Sequence, residues 1–526
     1  MQKTGADMGF AREFKDVFEL GGVPSFRQFY NFGIFIWKWL WKGFYKPWHV
    51  IPCPTIADPN AQRNVYRMNI AKAICAEMAG LVWGEECAVN VSQEGWTSED
   101  PDPLNEYVQS VLRCNAFAEK MQESIEECLA LGGNALKVWA ESRHDDDGNE
   151  IPESRKIMIG YAMADQFIPI SWDNAKVTEG VFVSRIAKGG YYYTRLEWHK
   201  WNGLTYVITN ELYRAEINKG KNPDETQDIL GVRYPLSEIY PYLEEETVIP
   251  VEESLFSYWR TPIANNLDDN SPLGMSIYGN ALETLHALDI CYDSFVREFR
   301  LGRKRIIVPA RAVRTVVDPQ TGKTCRYFDA SDETYEALAS DTPDDLKISD
   351  NSVSLRVDEH ISAINAFLSI LCMQVGFSAG TFTFDQHTGL KTATEVVSEN
   401  SKTYKTIKTV QNQLRPAIEH LVRNIIDVAI LYEMTDENGQ RIDALAAKGY
   451  DVQVTFDDGV TQDRQTNINE GVMLVGAGLL SKFTFMTDPK YGIGLTEEEA
   501  TAELERIKSE GSGNMMDALN LFGGGA

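Results

Sequence analysis

A long helical signal towards the C-terminal end limits what this chain can fold into. From Thr392 to Glu433 the sequence contains no glycine and a single proline, Pro416. Thr392 and Glu395 have the spacing of a capping box, which satisfies the first free backbone amides of a helix. About forty residues, each rising ~1.5 Å, make a rod roughly 60 Å long. We therefore expect one long helix, kinked at Pro416 because proline removes a backbone donor and crowds the preceding turn.

The two halves of this predicted helix differ in polarity. The first half carries one narrow apolar stripe, whereas the second half is apolar nearly all round and is expected to be buried. The stripe comprises Val397, Tyr404, Ile407, Val410 and Leu414, and the apolar half comprises Ile418, Leu421, Val422, Ile425, Ile426, Val428, Ile430 and Leu431. A loop rich in glycine, phenylalanine and threonine, residues 376–389, leads into the rod. On pattern alone, this stretch is the spine of a helical protein.

Composition and charge exclude several classes of protein. The 526 residues provide enough core for two to four domains. A net charge of −27 argues against a nucleic-acid binder that is basic throughout, although it allows a protein that handles DNA without gripping it. The eight cysteines form no CxxC pair and are expected to be reduced core residues of a protein made in a cytoplasm. No signal peptide is visible, and the most apolar stretch, 32–41, is too short to span a membrane.

The sequence contains no recognisable catalytic motif. It lacks a phosphate-binding Walker loop, an HExxH or GxSxG motif and a paired Cys/His set, and its seven histidines are dispersed. The acidic pairs at 268–269 and 344–345 could hold Mg²⁺ for nuclease chemistry, but in so acidic a chain we expect solvated loop charge. The sequence therefore predicts no catalytic residue, no metal site and no cofactor.

The first half of the chain is expected to contain an aromatic arm, a group of helices and a meander of strands. Residues crowded with aromatics between 10 and 50 would lie either on a membrane surface or, as we expect, against their own protein or a neighbouring subunit. Helices are predicted over 64–82, 104–112 and 116–131. Strands are predicted over 135–141, 156–161, 181–186, 191–201 and 205–213, with hairpin turns at Gly189-Gly190 and Asn202-Gly203.

Two helices with apolar stripes are predicted to bracket a small α/β insert. The first helix is predicted to begin at Ser271 and Pro272, which are typical of a helix start, and to end at Gly302, which is typical of a helix end. The second helix is predicted over 358–375. The insert is expected to hold strands over 305–309 and 325–328 and a short helix over 332–339. A basic run begins before it and comprises Arg297, Arg300, Arg303, Lys304, Arg305, Arg311 and Arg314. After the long helix, we expect a strand over 451–456 and helices over 462–474 and 496–509.

The number and order of several stretches carry a family resemblance. They are WKWLWKG (37–43) with the Trp-His pair at 48–49, ADQFIPISWD (164–173), NSPLG (270–274), FRLGRKR (299–305), GFSAGTFTFD (376–385) and GLKTATEVVS (389–398). With the order of predicted elements, they make the chain similar to the portal proteins of tailed double-stranded DNA bacteriophages. The nearest group is that of siphoviruses and prophages of Gram-positive bacteria.

The resemblance implies an α+β portal fold with an α/β wing, a two-helix stem, a small α/β clip, a tunnel loop, a long kinked helix and a helical crown. Its expected divisions are an N-terminal aromatic arm (1–60), wing (61–270), stem helix (271–302), clip (303–357), stem helix (358–376), tunnel loop (377–391), long helix with a wing return strand (392–460), crown (461–510) and flexible tail (511–526). The tunnel-loop residues would be Phe377, Thr381, Phe382, Thr383, Phe384, Asp385, Gln386 and His387. The seven basic residues named above would form a cluster of the clip and stem.

The resemblance also implies function and partners. It implies a homo-oligomeric ring, usually a dodecamer, at one capsid vertex of a virion assembled in the host cytoplasm, with no enzymatic activity and no membrane. The ring would pass double-stranded DNA without reading its sequence, during packaging and ejection. It would dock the terminase large subunit and head–tail connector proteins, and would also contact the major capsid protein and the scaffold. Two alternatives are another virion structural protein, such as a minor capsid protein or head–tail adaptor, and a metal-dependent packaging nuclease.

Overall fold

The protein has a mixed helix and strand fold. The computed structural model describes residues 28–54, 58–84, 87–96, 101–145, 147–174, 176–217, 230–267, 271–302, 305–307, 314–317, 324–327, 349–351, 354–383, 401–456, 471–487, 495–496 and 499–507. Its named helices are α1 (Gln28–Trp41), α2 (Lys46–His49), α3 (Ile70–Val82), α4 (Pro103–Cys114), α5 (Phe117–Leu131), α6 (Leu282–Leu301), α7 (Val357–Val375), α8 (Ser401–Leu431), α9 (Ile442–Ala446) and α10 (Lys482–Thr487). Residues 471–476 and 499–507 are also helical.

The strands of the described residues form antiparallel sheets. They are β1 (Val50–Pro52), β2 (Gln62–Asn64), β3 (Ala88–Gln93), β4 (Gly133–His144), β5 (Glu150–Met163), β6 (Phe167–Asp173), β7 (Lys176–Lys188), β8 (Tyr191–Asn202), β9 (Thr205–Glu216), β10 (Val232–Tyr234), β11 (Glu246–Ile249), β12 (Phe256–Arg260), β13 (Arg305–Ile307), β14 (Arg314–Val317), β15 (Thr324–Tyr327), β16 (Ser349–Asn351) and β17 (Tyr450–Thr455). A six-stranded sheet has the order β10-β9-β8-β7-β6, with β11 on β9, and a three-stranded sheet has the order β12-β4-β5. Two-stranded pairs are β1–β2, β3–β17, β13–β16 and β14–β15.

The predicted meander is confirmed, with one hairpin turn displaced by a residue. Gly189 and Gly190, with φ of +60° and +85°, form the first turn as predicted. In the second hairpin Asn202 pairs with Thr205, so the turn is Gly203-Leu204 and not Asn202-Gly203. Gly203 has φ of +67°, which glycine adopts without a steric penalty. Asn202 therefore belongs to β8, the strand that it ends.

The prediction that a helix begins at Ser271 is wrong, because α6 begins at Leu282. The intervening segment instead packs against the end of α5. The amide of Ile277 donates to the carbonyl of Leu129 at 2.8 Å, and the hydroxyl of Thr261 donates to the carbonyl of Met275 at 2.5 Å. These tertiary bonds use backbone groups that a continuous helix would need for itself.

The helix predicted over 64–82 also begins later, at Ile70. The residues before it are held by carboxylates of α6. The amide of Tyr66 donates to Asp293 at 3.1 Å and the amide of Met68 donates to Asp289 at 3.1 Å. These distant partners hold residues 65–69 outside the helix. The other helix predictions of this region are confirmed in α4 and α5.

The long helix α8 lies in one large core. It runs without interruption through Pro416, and the predicted portion before Ser401 lies outside the described residues. Ile407, Val410 and Leu414 of the stripe are buried, as are the residues of the second half up to Val428. The predicted difference between the two halves is confirmed for this part of the helix, while the kink remains a prediction.

The aromatic arm packs, in its described part, on its own chain. Trp37 of α1 is 1% exposed, and its carbonyl accepts a hydrogen bond from the hydroxyl of Tyr278 at 2.8 Å. Trp48 stacks on His286 of α6 with ring centroids 4.7 Å apart. Of the two alternatives for this segment, packing against the protein itself is therefore confirmed for residues 33–50.

The insert and C-terminal predictions are described in part. The strand predicted over 305–309 is confirmed over its described residues as β13, and the strand predicted over 325–328 is confirmed as β15, which begins one residue earlier. The helix predicted over 332–339 lies outside the described residues. The capping box predicted at Thr496 is confirmed. The amide of Thr496 donates to Glu499 at 3.1 Å, and the amide of Glu499 donates to the Thr496 hydroxyl at 3.3 Å.

Replacing Gly132 by alanine should destabilise the fold strongly. Gly132 has φ of +94°, and a methyl group there would overlap the backbone of Gly274. The left-handed backbone alone costs a non-glycine residue about 1–2 kcal/mol, and the backbone clash adds to that cost. Thermal unfolding should show a large decrease in Tm. The control is Gly148→Ala at an open hairpin tip, where φ is +85° and an added methyl group would have no other atom within 4 Å. Equal effects of the two changes would contradict the role of the close approach.

Candidate functional site

The predicted tunnel loop begins at the point where α7 ends. Gly376, with φ of +91°, reverses the chain, and the amide of Phe377 donates to the carbonyl of Cys372 at 2.9 Å. This arrangement caps the last carbonyls of the helix. Phe377, Thr381, Phe382 and Thr383 lie among the described residues. The other predicted loop residues, Phe384, Asp385, Gln386 and His387, lie outside them.

Hydrogen bonds tie the start of this loop to α8. The amide of Ser378 donates to the Thr403 hydroxyl at 2.8 Å, and the amide of Thr403 donates to the Ser378 hydroxyl at 3.3 Å. The hydroxyl of Thr406 donates to the carbonyl of Gly376 at 2.7 Å. We call residues 376–383, together with Thr403 and Thr406, the loop anchor. The anchor joins the C-terminal end of α7 to the first turns of α8.

Two phenylalanines of the loop anchor are packed inward. Phe377 is fully buried, and Phe382 packs edge-on against it with ring centroids 5.3 Å apart. A turn closed by the Thr381 hydroxyl, which donates to the carbonyl of Ser378 at 2.8 Å, lies between them. Phe377 therefore holds the loop in place and contributes no exposed surface. Its position among glycine and threonine residues gave no sign of this burial.

Lysine also contributes at this junction. Lys402 of α8 donates from its ammonium group to the carbonyl of Met373 at 2.6 Å. A cation near the C-terminal end of a helix is favoured, because the last carbonyls lack helical partners and carry partial negative charge. Lys402 therefore stabilises the end of α7 beside the loop anchor.

The structure places the predicted basic cluster on two kinds of element. Arg297 and Arg300 are exposed on the last turns of α6, and the Arg300 guanidinium lies over the ring of Tyr66 at 5.2 Å. Arg305 opens β13 and Arg314 opens β14, with their side chains outside the described set. The remaining members, Arg303, Lys304 and Arg311, lie outside the described residues. The described structure thus brings together the first two residues, three positions apart on one helix.

Buried carboxylates that the sequence analysis missed position α6. Asp293 accepts two bonds from the Arg63 guanidinium, at 2.8 and 2.7 Å. The bond from Arg63 holds the pKa of Asp293 below its usual value. One turn earlier, the Nε2 atom of His49 lies 3.0 Å from Asp289, while its Nδ1 atom accepts from the amide of Tyr45. Because that backbone amide can only donate, Nε2 carries the proton and donates to Asp289.

Helices α6 and α7 are also linked at the end where the insert connects them. Glu298 of α6 receives two bonds from Arg356, at 3.1 and 3.0 Å, immediately before α7 begins. Arg356 lowers the pKa of Glu298. Phe295 and His360 pack together nearby, with ring centroids 5.8 Å apart. The pair α6–α7 therefore forms an antiparallel unit with the insert at one end and the loop anchor at the other.

Comparison with known protein families identifies the family to which this chain belongs. The family model described as phage portal protein, SPP1 Gp6-like, matches residues 44–515. The chain belongs to this family of phage portal proteins. It is therefore a structural component of the virion, and family membership implies a homo-oligomeric ring in the capsid.

Other comparisons add no further identification. No curated protein matches the chain. Among solved structures, one titled "Neck of empty GTA particle computed with C6 symmetry" is similar, at 12% identity and a TM-score of 0.40, over 80% of this chain and 89% of that one. In the described part of this portal protein, no helix is long and apolar enough to cross a membrane. No group of three or more His, Cys, Asp or Glu side chains there could hold a metal ion.

Replacing Thr406 by valine should loosen the loop anchor. Valine keeps the shape of threonine but cannot donate to the carbonyl of Gly376, a bond worth about 1 kcal/mol. Hydrogen exchange measured by mass spectrometry should become faster over residues 376–383. Thr409→Val is the matched control, because the Thr409 hydroxyl bonds to the carbonyl of Lys405 within the same helix. Unchanged exchange in Thr406→Val would show that the bond does not hold the loop.

Replacing Arg63 by methionine should destabilise the protein near neutral pH. The change leaves the Asp293 carboxylate, whose side chain is 8% exposed, without its cation, and an unsatisfied buried polar group costs about 1–3 kcal/mol. Because the folded pKa of Asp293 is lowered, this contribution is present above the unfolded value near 3.8 and is lost as pH falls through the folded pKa. The Tm difference from wild type should therefore be large at pH 7 and shrink below about pH 4. Lys120→Met, which breaks the exposed pair with Glu123, should change little. A Tm difference that is independent of pH would contradict this account.

Proposed function

We propose that this portal protein forms a ring, with twelve subunits as in most of its family, through which double-stranded DNA enters the capsid and later leaves it. The observation that carries the proposal is the anchored loop between two long helices in a chain that matches the portal family over 44–515. A loop fixed at its base by α7 and α8 can place its tip reproducibly in each subunit. In a ring, the tips would make a constriction around the DNA.

Charge supports a conduit that does not bind its cargo tightly. Each chain carries a net charge of −27, so twelve chains sum to roughly −320, which repels phosphate if it is spread over the ring. The exposed residues Arg297 and Arg300 provide a local exception on α6. Isolated cations of this kind contact phosphates without reading sequence. The same residues are equally suited to acidic surfaces of a neighbouring subunit.

The exposed faces of α6 and α7 suit contacts between subunits. Ile290 and Phe299 of α6 are 51% and 45% exposed, and Ile370 and Met373 of α7 are 41% and 59% exposed. Exposed apolar side chains on paired helices favour burial against another surface. A ring of identical subunits provides such a surface for each protomer. The helix pair would then form the stem of the ring.

The insert between the two helices is the proposed docking region. Residues 303–357 would form the clip, which would contact the terminase large subunit during packaging and head–tail connector proteins afterwards. The aromatic arm, wing and crown would face the major capsid protein and the scaffold during assembly in the host cytoplasm. Support comes from family membership and from the position of the insert, which leaves the helix pair at the end opposite the loop anchor.

Deleting residues 381–386 tests the channel function. The deletion leaves α7, α8 and the bonds between Ser378 and Thr403 in place, so purified variant and wild type should both form rings with a central hole in negative-stain images. Packaging of DNA in infected cells should fall sharply for the variant, because the constriction is lost. Wild-type protein that stays monomeric at micromolar concentration would contradict the ring. Normal packaging by the deletion variant would remove the loop from the mechanism.

A further inference from the structure

A cavity of about 500 Å³ lies beside the buried half of α8, far along the helix from the loop anchor. We call it the acidic pocket. Its walls come from the segment before β12, from α8 and from the start of β17. The lining includes Glu252, Glu253, Arg423, Asn424, Asp427 and Tyr450. None of these residues belongs to the loop anchor or to the basic cluster described above.

An unsatisfied amide points to a ligand in this pocket. Asn424 is completely buried, and neither its Oδ1 nor its Nδ2 atom has a hydrogen-bond partner in the described structure. Leaving a buried polar group unpaired costs about 1–3 kcal/mol, and here donor and acceptor are both unpaired. Asn424 lines the cavity, so an occupant that donates a hydrogen bond could satisfy its Oδ1 atom.

The charges around the cavity favour a cationic occupant. Glu252, Glu253 and Asp427 all line it, and burial together with the other two carboxylates raises the pKa of Asp427. Glu253 is already paired with Lys176 at 3.3 Å, and the Nε2 atom of His420 lies 3.0 Å from its carboxylate without making a hydrogen bond. Burial lowers the pKa of His420 to about 4, so this histidine is neutral near pH 7. Lys176 and Arg423 supply two positive charges against the three carboxylates, which leaves one negative charge in surplus when Asp427 is ionised.

The remaining walls are apolar. Val251, Ile430 and Leu431 line the same cavity. Such walls suit methylene groups, which long basic side chains bury while their charged ends reach polar partners. The volume also exceeds what a single metal ion needs, since a water molecule occupies only about 30 Å³ of liquid.

We propose that the acidic pocket binds an amphipathic organic cation, a guanidinium or ammonium group carried on a methylene chain. The charged group would pair with Asp427 and Glu252 and donate to the Asn424 amide oxygen, while the chain would lie against Val251 and Leu431. Two sources supply this chemistry, a free polyamine and an arginine or lysine side chain of a neighbouring copy. The second source rests on the proposed ring, whereas the first does not.

Calorimetric titration of the full-length protein with agmatine tests the free cation. We expect one binding site per chain, with affinity reduced about tenfold or more in Asp427→Asn, because one charge-assisted bond is worth roughly 1.4 kcal/mol or more. Glu252→Gln, at an exposed rim position, is a second variant that should weaken binding without disturbing the fold. Glu437→Gln, which removes the same charge from an exposed turn, should bind like wild type. Affinity should increase with pH in the range where Asp427 ionises.

Mass photometry of the same proteins separates the two sources. If a side chain of a neighbouring copy fills the pocket, agmatine should not bind to rings, and Asp427→Asn rings should dissociate at higher concentration than Glu437→Gln rings. Absence of agmatine binding together with unchanged ring dissociation would overturn the proposal, as would equal binding by all variants. Wild-type chains that form no ring but bind agmatine would contradict only the proposed ring.

Discussion

Burial of the second half of α8 on nearly all sides is the constraint on which the other parts of the protein depend. Leu421, Ile425 and Ile426 are completely excluded from solvent, and the helix packs on β4, β12, β17 and α3. Burying one large aliphatic side chain contributes about 1.5–3 kcal/mol, so a helix surrounded in this way is held firmly. Because α8 is one continuous helix, packing of its second half in the core also fixes the position of its first half. The loop anchor is bonded to that first half through Thr403 and Thr406, so its position depends on the same packing.

Local patterns predicted those elements whose formation depends on neighbouring residues in the chain. Apolar periodicity located α5, α7 and the described part of α8, and glycine pairs located a hairpin. The start of α6 was not predictable in this way. Ser271 and Pro272 have the local character of a helix start, but Gly274 lies against Gly132 and Ile277 bonds to Leu129. Contacts separated by more than a hundred residues outweighed a capping preference of about 1 kcal/mol.

The polar groups of the core were the least predictable part of the fold and of the candidate sites. Lys137 of β4 pairs with Glu197 of β8 and so joins the two larger sheets. Burial alone would raise the pKa of Glu197, but Lys137 and His199 hold it well below the usual value. The alternation of polar and apolar residues along β4 and β8 does not indicate which residue pairs with Lys137 or with Glu197. The same holds for Asp293 with Arg63, and for Asn424 in a stretch of α8 that reads as apolar. Which residues pair is determined by the tertiary fold. From the sequence alone, such charged residues are predicted to lie on the surface, and Asn424 is predicted only to lie in a helix.

Pro416 separates the part of α8 that bears the loop anchor from the part that lines the acidic pocket. A proline inside a helix costs about 3 kcal/mol and leaves the carbonyl four residues earlier without its helical donor. Here the flanking residues offset that cost. Leu414, Ala417 and Ile418 are buried, and Arg415 donates to the carbonyl of Val454 while lying over the ring of Phe456 at 5.1 Å. Strand β17 therefore stabilises α8 next to Pro416, the point at which a backbone hydrogen bond of the helix is missing. The loop anchor lies before this point and the acidic pocket after it. Any bending of α8 at Pro416 would move the loop relative to the core, and the contact of Arg415 with β17 opposes that movement.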